Sequence, residues 1–355
     1  MMNRIQRLQK ELSVGEAVLI SSNANRLYFT GFKSSAGTLF ITQNSADFLI
    51  DFRYFEKAQK SITACNVLLA EHSSQQLQEF AEQHQIKTVF VETSYVSVTE
   101  FKRFEMIFTA QTVSLDDTLD KKIRLMRSIK EPEEIAKINA AQKITDDTFS
   151  YILKHIHPGK TEREIMLDME FFLRKQGSEG VSFDFIVVSG KNSSLPHGVP
   201  TNKPVELGDF ITMDFGAVVD GYRSDMTRTV AVGKVSEKQR FVYNTVLEAQ
   251  EKALAAIAPE KVCKSIDAIA RDHIYSAGFE GRFGHGLGHS VGIEIHEGPS
   301  FNRSDETPLK PGMVITVEPG IYLPDEFGVR IEDMIAVTEN GCENLTHSTK
   351  ELIIL

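Results

Sequence analysis

The sequence predicts two domains of different class: an α/β domain over residues 1–122, then an α+β domain over residues 123–355. Three observations carry this. At 355 residues the chain exceeds the roughly 100–200 residues of an ordinary domain. Short apolar runs alternate with helix-period segments as far as residue 107. Beyond a charged stretch the order changes to long capped helices and strands punctuated by hairpin signals.

In the first part Ala17–Ser21, Thr38–Thr42, Phe48–Asp51, Asn66–Leu69 and Thr88–Val91 read as strands. Arg53–Lys60, Ser74–His84 and Val98–Ile107 between them have helical spacing. A charged stretch runs from Asp116 to Glu131, and the domain boundary is placed inside it, near residue 123. Pro132 suits the first turn of a helix, and Ile135, Ile138, Thr145, Phe149, Ile152 and Ile156 mark one face of it. Thr161 and Glu164 form a capping box for a helix ending before Gly177; Ser236 and Gln239 open another that runs to about Ile257. A third helix, Ser265–Ala277, stops at Gly278. Phe183–Ser189, Asp209–Ala217, Tyr222–Val232, Met313–Glu318 and Gly328–Val337 are the expected strands.

Composition excludes several classes. Hydrophobic residues at 41% and charged residues at 25% are a globular balance. A net charge of −10 favours solubility and gives no attraction to a nucleic-acid backbone. Cys65, Cys263 and Cys342 lie far apart without CxxC spacing, which argues against a disulfide framework or zinc finger and for a reducing compartment. The N-terminal MMNRIQRLQKELSVG lacks the apolar region of a signal peptide, and no apolar run approaches the ~18–20 residues of a membrane span. A cytoplasmic protein is expected.

The chemistry is concentrated in the second part. Asp220-Gly221 between two strand runs is a two-residue hairpin signal. With those residues in the turn, Val219 pairs with Tyr222, Gly216 with Asp225 and Asp214 with Thr227. Asp214 and Asp225 then share a face as diagonal neighbours, roughly 7–8 Å apart or less. Like charges on apolar strands repel and resist desolvation, and a shared cation removes both problems. The alternative, two aspartates facing solvent on an outer sheet surface, stays open on this segment alone.

FGHGLGHSVGIEIHE places His285, His289 and His296 within twelve residues of a chain with ten histidines. Gly284, Gly286 and Gly288 break any helical HxxxH reading, and no Glu follows His285, so this is not an HExxH zinc helix. Neither GxxxxGK nor GxGxxG fits, which excludes a phosphate loop. The glycines suggest backbone packed tightly beside a site. Glu318 ends an apolar strand before Pro319-Gly320, and Glu332 falls inside another with Arg330 on the same face. A carboxylate in an apolar strand needs a partner; Arg330 offers Glu332 one, whereas Glu318 has none locally. Four carboxylates and His289 make a hard, oxygen-rich set suited to Mn²⁺, Mg²⁺, Co²⁺ or Fe²⁺ without excluding Zn²⁺. Their charge balances two divalent ions, which together can activate water and polarise a carbonyl.

Asp-x10-Asp, GHGLGHSVGIEIHE, TVEPGIY and GVRIED, in that order, resemble the pita-bread metallopeptidases, and within them the Xaa-Pro peptidases, prolidase and aminopeptidase P. FTGFKSSAGTLFIT and LIDFRYFEKA resemble the family's non-catalytic, creatinase-type N-terminal domain, and SFDFIVVSGKNSSLPHGVP the stretch carrying its substrate-site histidine. The resemblance implies a pita-bread catalytic domain over 123–355 and two divalent ions, Mn²⁺ foremost, with Co²⁺, Zn²⁺ or Fe²⁺ as others. It implies Asp214 as terminal ligand of one ion, His289 and Glu318 as ligands of the other, and Asp225 and Glu332 as bridges. Glu318 also passes the proton of the attacking water to the leaving nitrogen. His197, His285 and His296 line the substrate site, with His285 and His296 able to bond the carbonyl or oxyanion. Arg330 holds Glu332 and faces the substrate; Tyr222 and Asp220 are weaker supporting candidates. The implied substrates are Xaa-Pro dipeptides or short peptides with a free N-terminus, and the implied assembly is a homodimer without nucleic-acid or membrane partners.

The sequence departs from the dipeptide-specific pattern at one point. Those relatives commonly carry an arginine shortly after the proline that follows His-Glu, to bind a free carboxylate. Here Ser300 follows Pro299 and Arg303 comes later, a candidate substitute. Longer peptides are therefore open as substrates. The rival readings are another pita-bread aminopeptidase and a non-catalytic peptide- or protein-binding module. A methionine aminopeptidase would share the ligands but normally lacks the N-terminal domain, whereas creatinase-like relatives and degenerate binding modules lose ligands, and all five are present here.

Overall fold

The apolar runs of the first part assemble into one mixed sheet. In the computed structural model, which describes residues 2–355, β1 (Glu16–Ile20) lies inside the order β4-β3-β2-β1-β5-β6. The others are β2 (Thr38–Thr42), β3 (Ala46–Ile50), β4 (Asn66–Leu69), β5 (Thr88–Val91) and β6 (Thr112–Ser114). β1, β2 and β3 pair antiparallel; β4 joins β3, and β5 joins β1 and β6, in parallel. The helices are α1 (Arg4–Gln9), α2 (Asn23–Thr30), α3 (Phe52–Ser61), α4 (Ser73–Gln83), α5 (Val98–Ile107) and α6 (Thr118–Ser128). Leu19, Phe40, Leu49 and Val89 of the sheet pack on Leu77, Phe104 and Phe108.

Sequence periodicity does not reveal α1, α2 or β6. α2 has asparagines at its first and third positions, both weak helix formers, yet Ser22 caps its start and Gly31 ends it in the left-handed region. The charged stretch contains α6, whose Leu119 and Ile123 are buried. The expected boundary at 123 thus falls within a helix, and contacts divide the chain between Arg127 and Ser128.

The second unit contains α7 (Pro132–Ile152), α8 (Glu162–Lys175), β7 (Ile186–Ser189), β8 (Phe210–Phe215), β9 (Val218–Val219), β10 (Tyr222–Arg223), β11 (Met226–Ala231), α9 (Glu237–Ala256) and α10 (Cys263–Ser276). There follow β12 (Gly288–Ser290), β13 (Glu297–Phe301), β14 (Val314–Val317), β15 (Gly320–Leu323), β16 (Phe327–Arg330), β17 (Asp333–Val337) and β18 (Cys342–Asn344). One sheet runs β11-β8-β7, a second β13-β12-β14-β17-β18, and β15-β16 and β10-β9 are two-stranded. Ile138, Thr145, Phe149 and Ile152 of α7 are buried, and Phe149 and Ile152 join α8 residues in a core with Val187, Met213 and Met226. α9 and α10 bury Val246 and Ile266 with Ile315, Ile335 and Val329. Among the described residues no helix is long and apolar enough to cross a membrane.

Two expected strands are broken, and both breaks fall beside the site. The carboxylate hairpin keeps its register, with Val219 opposite Tyr222 and Asp214 opposite Thr227. Asp220 and Gly221 both have positive φ, 49° and 81°, as a two-residue hairpin of the primed type requires. Each arm is interrupted, however, leaving Asp225 between β10 and β11. Gly328–Val337 is not one strand: β16 pairs with β15, whereas β17 pairs with β14. Glu332 sits at the crossing between those two pairings, its N–H bonded to Thr227 O at 3.1 Å.

Candidate active site

The predicted residues converge on one cleft of about 880 Å³ in the second unit, lined by His197, Asp214, Asp225, His285, His289, His296, Glu318, Arg330 and Glu332 among others. The histidine loop is gripped from α10. Asp267 and Arg271, one turn apart, pair at 2.8 Å. Arg271 donates to the carbonyls of Phe283 and His285, and Asp267 accepts from Leu287 N. At Gly288 a Cβ would stand 1.9 Å from Thr316 O, so only glycine lets β12 approach β14 this closely.

This approach delivers His289. Its N–H bonds to Thr316 Oγ1, and its Nδ1 lies 3.2 Å from Ser290 O. Nδ1–H donates to that carbonyl, which turns the Nε2 lone pair into the cleft. Nε2 stands 3.5 Å from Asp225 Oδ2 and 3.6 Å from Glu318 Oε1. These distances are beyond a good hydrogen bond and suit donors that share an ion. Ligand atoms of Asp225, His289 and Glu332 all lie within 4.8 Å of one another.

Arg330 does not hold Glu332 as expected. Its Nη2 meets Asp214 Oδ2 at 2.6 Å, its Nη1 donates to Tyr322 OH and Pro196 O, and its Nε donates to Thr227 Oγ1. Thr227 Oγ1 in turn donates to Glu332 Oε2 at 2.7 Å. The cause is the strand break: Arg330 belongs to the β15-β16 ribbon and Glu332 to the crossing, so they do not share a strand face. Tyr322 OH, accepting from Arg330, donates to His285 Nε2 at 2.9 Å, and His285 Nδ1 bonds to Gly286 O. Both ring nitrogens of His285 are therefore engaged within the protein.

His197 and His296 are exposed on the cleft wall, with the His296 ring edge-on to His289 at 4.4 Å. The weaker candidates lie elsewhere. Tyr222 donates to Glu134 Oε1 on α7, and Asp220 is exposed in its turn. Arg303 reaches Tyr275 OH at 2.7 Å and does not line the cleft. Sequence reasoning missed Tyr322, Thr227 and the Asp267–Arg271 pair, all of which touch the site residues or their backbone; TVEPGIY contains Tyr322, but nothing in its spacing marks it.

The charges pose the question of a cation directly. Burial, then the neighbouring Glu332, Asp214 and Glu318, pushes Asp225 well above the usual carboxylate range. Burial, then Glu318 and Asp214, does the same to Glu332. Glu318 is pushed up to about 8, chiefly by burial. Burial and then His296 hold His289 down at about 4, so its ring is neutral and able to ligate. Asp214 Oδ1 and Asp225 Oδ1 are buried without a hydrogen-bond partner. Crowded carboxylates with orphaned oxygens, beside an imidazole lone pair, fit divalent metal ions.

The comparisons agree with this geometry. The profile of metallopeptidase family M24 matches residues 136–339, and that of the creatinase/prolidase N-terminal domain matches residues 4–129. An Xaa-Pro dipeptidase of Pyrococcus horikoshii is 40% identical over 95% of this chain and 94% of its own length. The structure of an Xaa-Pro dipeptidase from Bacillus anthracis superposes with a TM-score of 0.94 at 39% identity, covering 99% of this chain and 98% of that one. An X-Pro aminopeptidase from Thermotoga maritima gives 0.93 at 36% identity, covering 98% of this chain and all (100%) of the other. The chain belongs to metallopeptidase family M24, a family that works with divalent metal ions, and it carries the creatinase/prolidase N-terminal domain ahead of its catalytic one.

Proposed function

We propose that this protein hydrolyses the Xaa-Pro bond at the N-terminus of short peptides, using two divalent ions, Mn²⁺ foremost, held by Asp214, Asp225, His289, Glu318 and Glu332. The observation that carries the reading is the cluster of Asp225, His289 and Glu332 ligand atoms within 4.8 Å, opening on a cleft with His197 and His296 on its wall. The prolidase and X-Pro aminopeptidase relatives supply the substrate class.

When bound, the ions supply Lewis-acid polarisation of the scissile carbonyl and acidify the attacking water. Glu318 takes the water's proton and passes it to the prolyl nitrogen, which is a tertiary amide and must be protonated to leave. Its side chain is 16% exposed, against 12% for Asp214 and 5% for Asp225, so it is the most accessible of the three. It is also loosely held, by one 3.3 Å contact from Thr316, whereas Arg330 pins Asp214 and Thr227 pins Glu332. His296, projecting beside His289, donates to the oxyanion. His285 acts through Tyr322 and Arg330, since its nitrogens are engaged.

Among substrates, peptides longer than two residues are favoured. The cleft lies near the upper end of the roughly 300–1,000 Å³ of ligand sites. Ser300 lines it where an arginine would bind a dipeptide's carboxylate, and Arg303 is occupied at Tyr275. Catalysis belongs to the second unit, and the first is non-catalytic. A cytoplasmic homodimer without nucleic-acid partners completes the reading, supported by the family resemblance, the negative charge and the unpaired cysteines.

The test compares Ala-Pro, Ala-Pro-Ala and Ala-Ala-Ala with Mn²⁺-loaded protein. Cleavage of Ala-Pro-Ala at least as fast as Ala-Pro, with Ala-Ala-Ala untouched, supports the reading. Cleavage of Ala-Pro alone makes the protein a strict dipeptidase, and inactivity on all three with every divalent ion tried overturns the function.

A further inference from the structure

His197 stands on a loop, not on a strand or helix, so something must fix where it points. The loop leaves β7 at Ser189 and returns at Thr201, and both stems end on one carboxylate. Glu162, the first residue of α8, is fully buried. Its Oε1 accepts from Ser189 N at 2.7 Å, Ser189 Oγ at 3.0 Å and Asn192 Nδ2 at 3.0 Å. Its Oε2 accepts from Thr201 N at 3.0 Å and Thr201 Oγ1 at 2.6 Å. One oxygen holds the entry stem and the other the exit stem. The backbone of α8 adds two bonds, from Glu162 N to Lys203 O and from Arg163 N to Thr201 O.

A buried charge needs a reason, since desolvating a carboxylate is costly. Here the reason is donor count. Five donors converge, and only an ionised carboxyl offers acceptors on both oxygens; an amide would present N–H groups to one set. The clamp is also locked from outside: Lys203 Nζ bonds Ser189 Oγ and Asp209 Oδ2. Gly190 has φ +53°, and a Cβ there would stand 2.4 Å from Asp209 Oδ1, so a side chain at the entry stem would be strained and would push Asp209 aside. At the loop's far side Pro196 O accepts from Arg330 Nη1 and Ser193 Oγ from Gly328 N of β16. The loop therefore touches the guanidinium that holds Asp214.

We propose that Glu162, which does not itself line the cleft, is a positioning residue for the reaction: by gripping both stems of the 189–201 loop it sets the place of the His197 imidazole on the cleft wall. The proposal rests on the substrate-site reading of His197 given above. Glu162 acts on no substrate atom. Its effect reaches the chemistry only through the loop.

The experiment is a double-mutant cycle on the Mn²⁺-loaded enzyme with Ala-Pro-Ala. Glu162→Gln keeps the shape but turns a donor against the stem donors. Displacing a positioned group by about an ångström can cost up to a hundredfold, so kcat/KM is expected to fall roughly ten- to a hundredfold. Metal content should be unchanged. In a His197→Ala background the same substitution should cost less than about twofold, because coupled residues are not additive. Thr201→Val, which removes one of the five bonds to Glu162 together with the bond that Thr201 Oγ1 accepts from Lys203 N, should give a smaller loss with the same coupling and carries the test if Glu162→Gln does not fold. Equal losses in both backgrounds, or no loss from Glu162→Gln, overturn the proposal. Amide exchange across residues 189–201 separates this from a failure of the proposed function. If the wild type cleaves no Xaa-Pro peptide, faster exchange at Ser189 and Thr201 in Glu162→Gln still supports the clamp, and unchanged exchange defeats it.

Discussion

Arg330 Nη2 meets Asp214 Oδ2 at 2.6 Å, while Glu332, two residues along the chain from that arginine, is served by Thr227 instead. The guanidinium thus pairs with Asp214 and leaves Asp225 and Glu332, the proposed bridging ligands, without an arginine bonded to them. Removing it should expose a charge conflict that metal partly relieves. Arg330→Met is expected to destabilise chelated protein by about 3–5 kcal/mol, as breaking a buried pair does, and Mn²⁺-loaded protein by less. Urea unfolding with and without chelator reads the difference; equal losses in the two states would show that Asp214 does not share its charge with an ion.

Asp225→Asn should strip metal while sparing the fold. Its Oδ1 has no protein partner, so the amide costs little structure but loses the anionic ligand. Metal affinity should fall on the order of a hundredfold or more, with activity lost alongside. Metal titration followed by calorimetry checks this, and wild-type affinity would remove Asp225 from the ligand set.

The metal-free protein should lose stability as pH rises from about 6.5 to 8. A carboxyl whose folded pKa is raised adds stability that is complete below its unfolded pKa and fades as pH climbs through the folded value. Glu318, raised to about 8, Asp225 and Glu332 all act in that sense. His285 and His289, lowered to about 4, act oppositely but only below about 6.5, where the unfolded imidazole titrates. Denaturant midpoints in chelator should fall across the window and flatten when Mn²⁺ is restored. A midpoint that rises with pH refutes the charge crowding.

His296→Ala is expected to lower kcat about 10²–10³-fold, the usual loss on removing an oxyanion donor, at unchanged metal content. The ring stands beside His289 but is not within the metal-ligand cluster. Loss of metal in this variant would make it a ligand.

Arg303→Ala should change the ratio of Ala-Pro to Ala-Pro-Ala turnover less than about twofold, since surface substitutions away from a site do little. Arg303 is bonded to Tyr275. A selective loss of dipeptide cleavage would return it to carboxylate binding.

The hairpin was legible because its information is local: a two-residue turn fixes register, and register fixes the shared face of Asp214 and Asp225. His289 and Glu318 were legible for a similar reason, a glycine-rich loop and an acid at a strand end. The partner of Glu332 was not. Alternation assumes a continuous strand, and the chain changes sheets between Ile331 and Asp333, a decision made by tertiary pairing with β14 and β15. Tyr322, Thr227 and the Asp267–Arg271 pair were invisible because their roles come from neighbours distant in sequence. α2 was missed because its caps, not its propensity, define it.

Glu332 lies where β16 hands over to β17, while Asp214 and Asp225 come from the β8–β11 hairpin, and His289 and Glu318 from the β12–β14 neighbourhood. The two ions that these residues would hold between them would work together as a cross-brace between separately hydrogen-bonded sheets. Chelation should therefore let the amides of β11 and β14 exchange out of step where loading made them exchange together. The loading state of this protein could then be followed by the mechanics of its framework, with no peptide present at all.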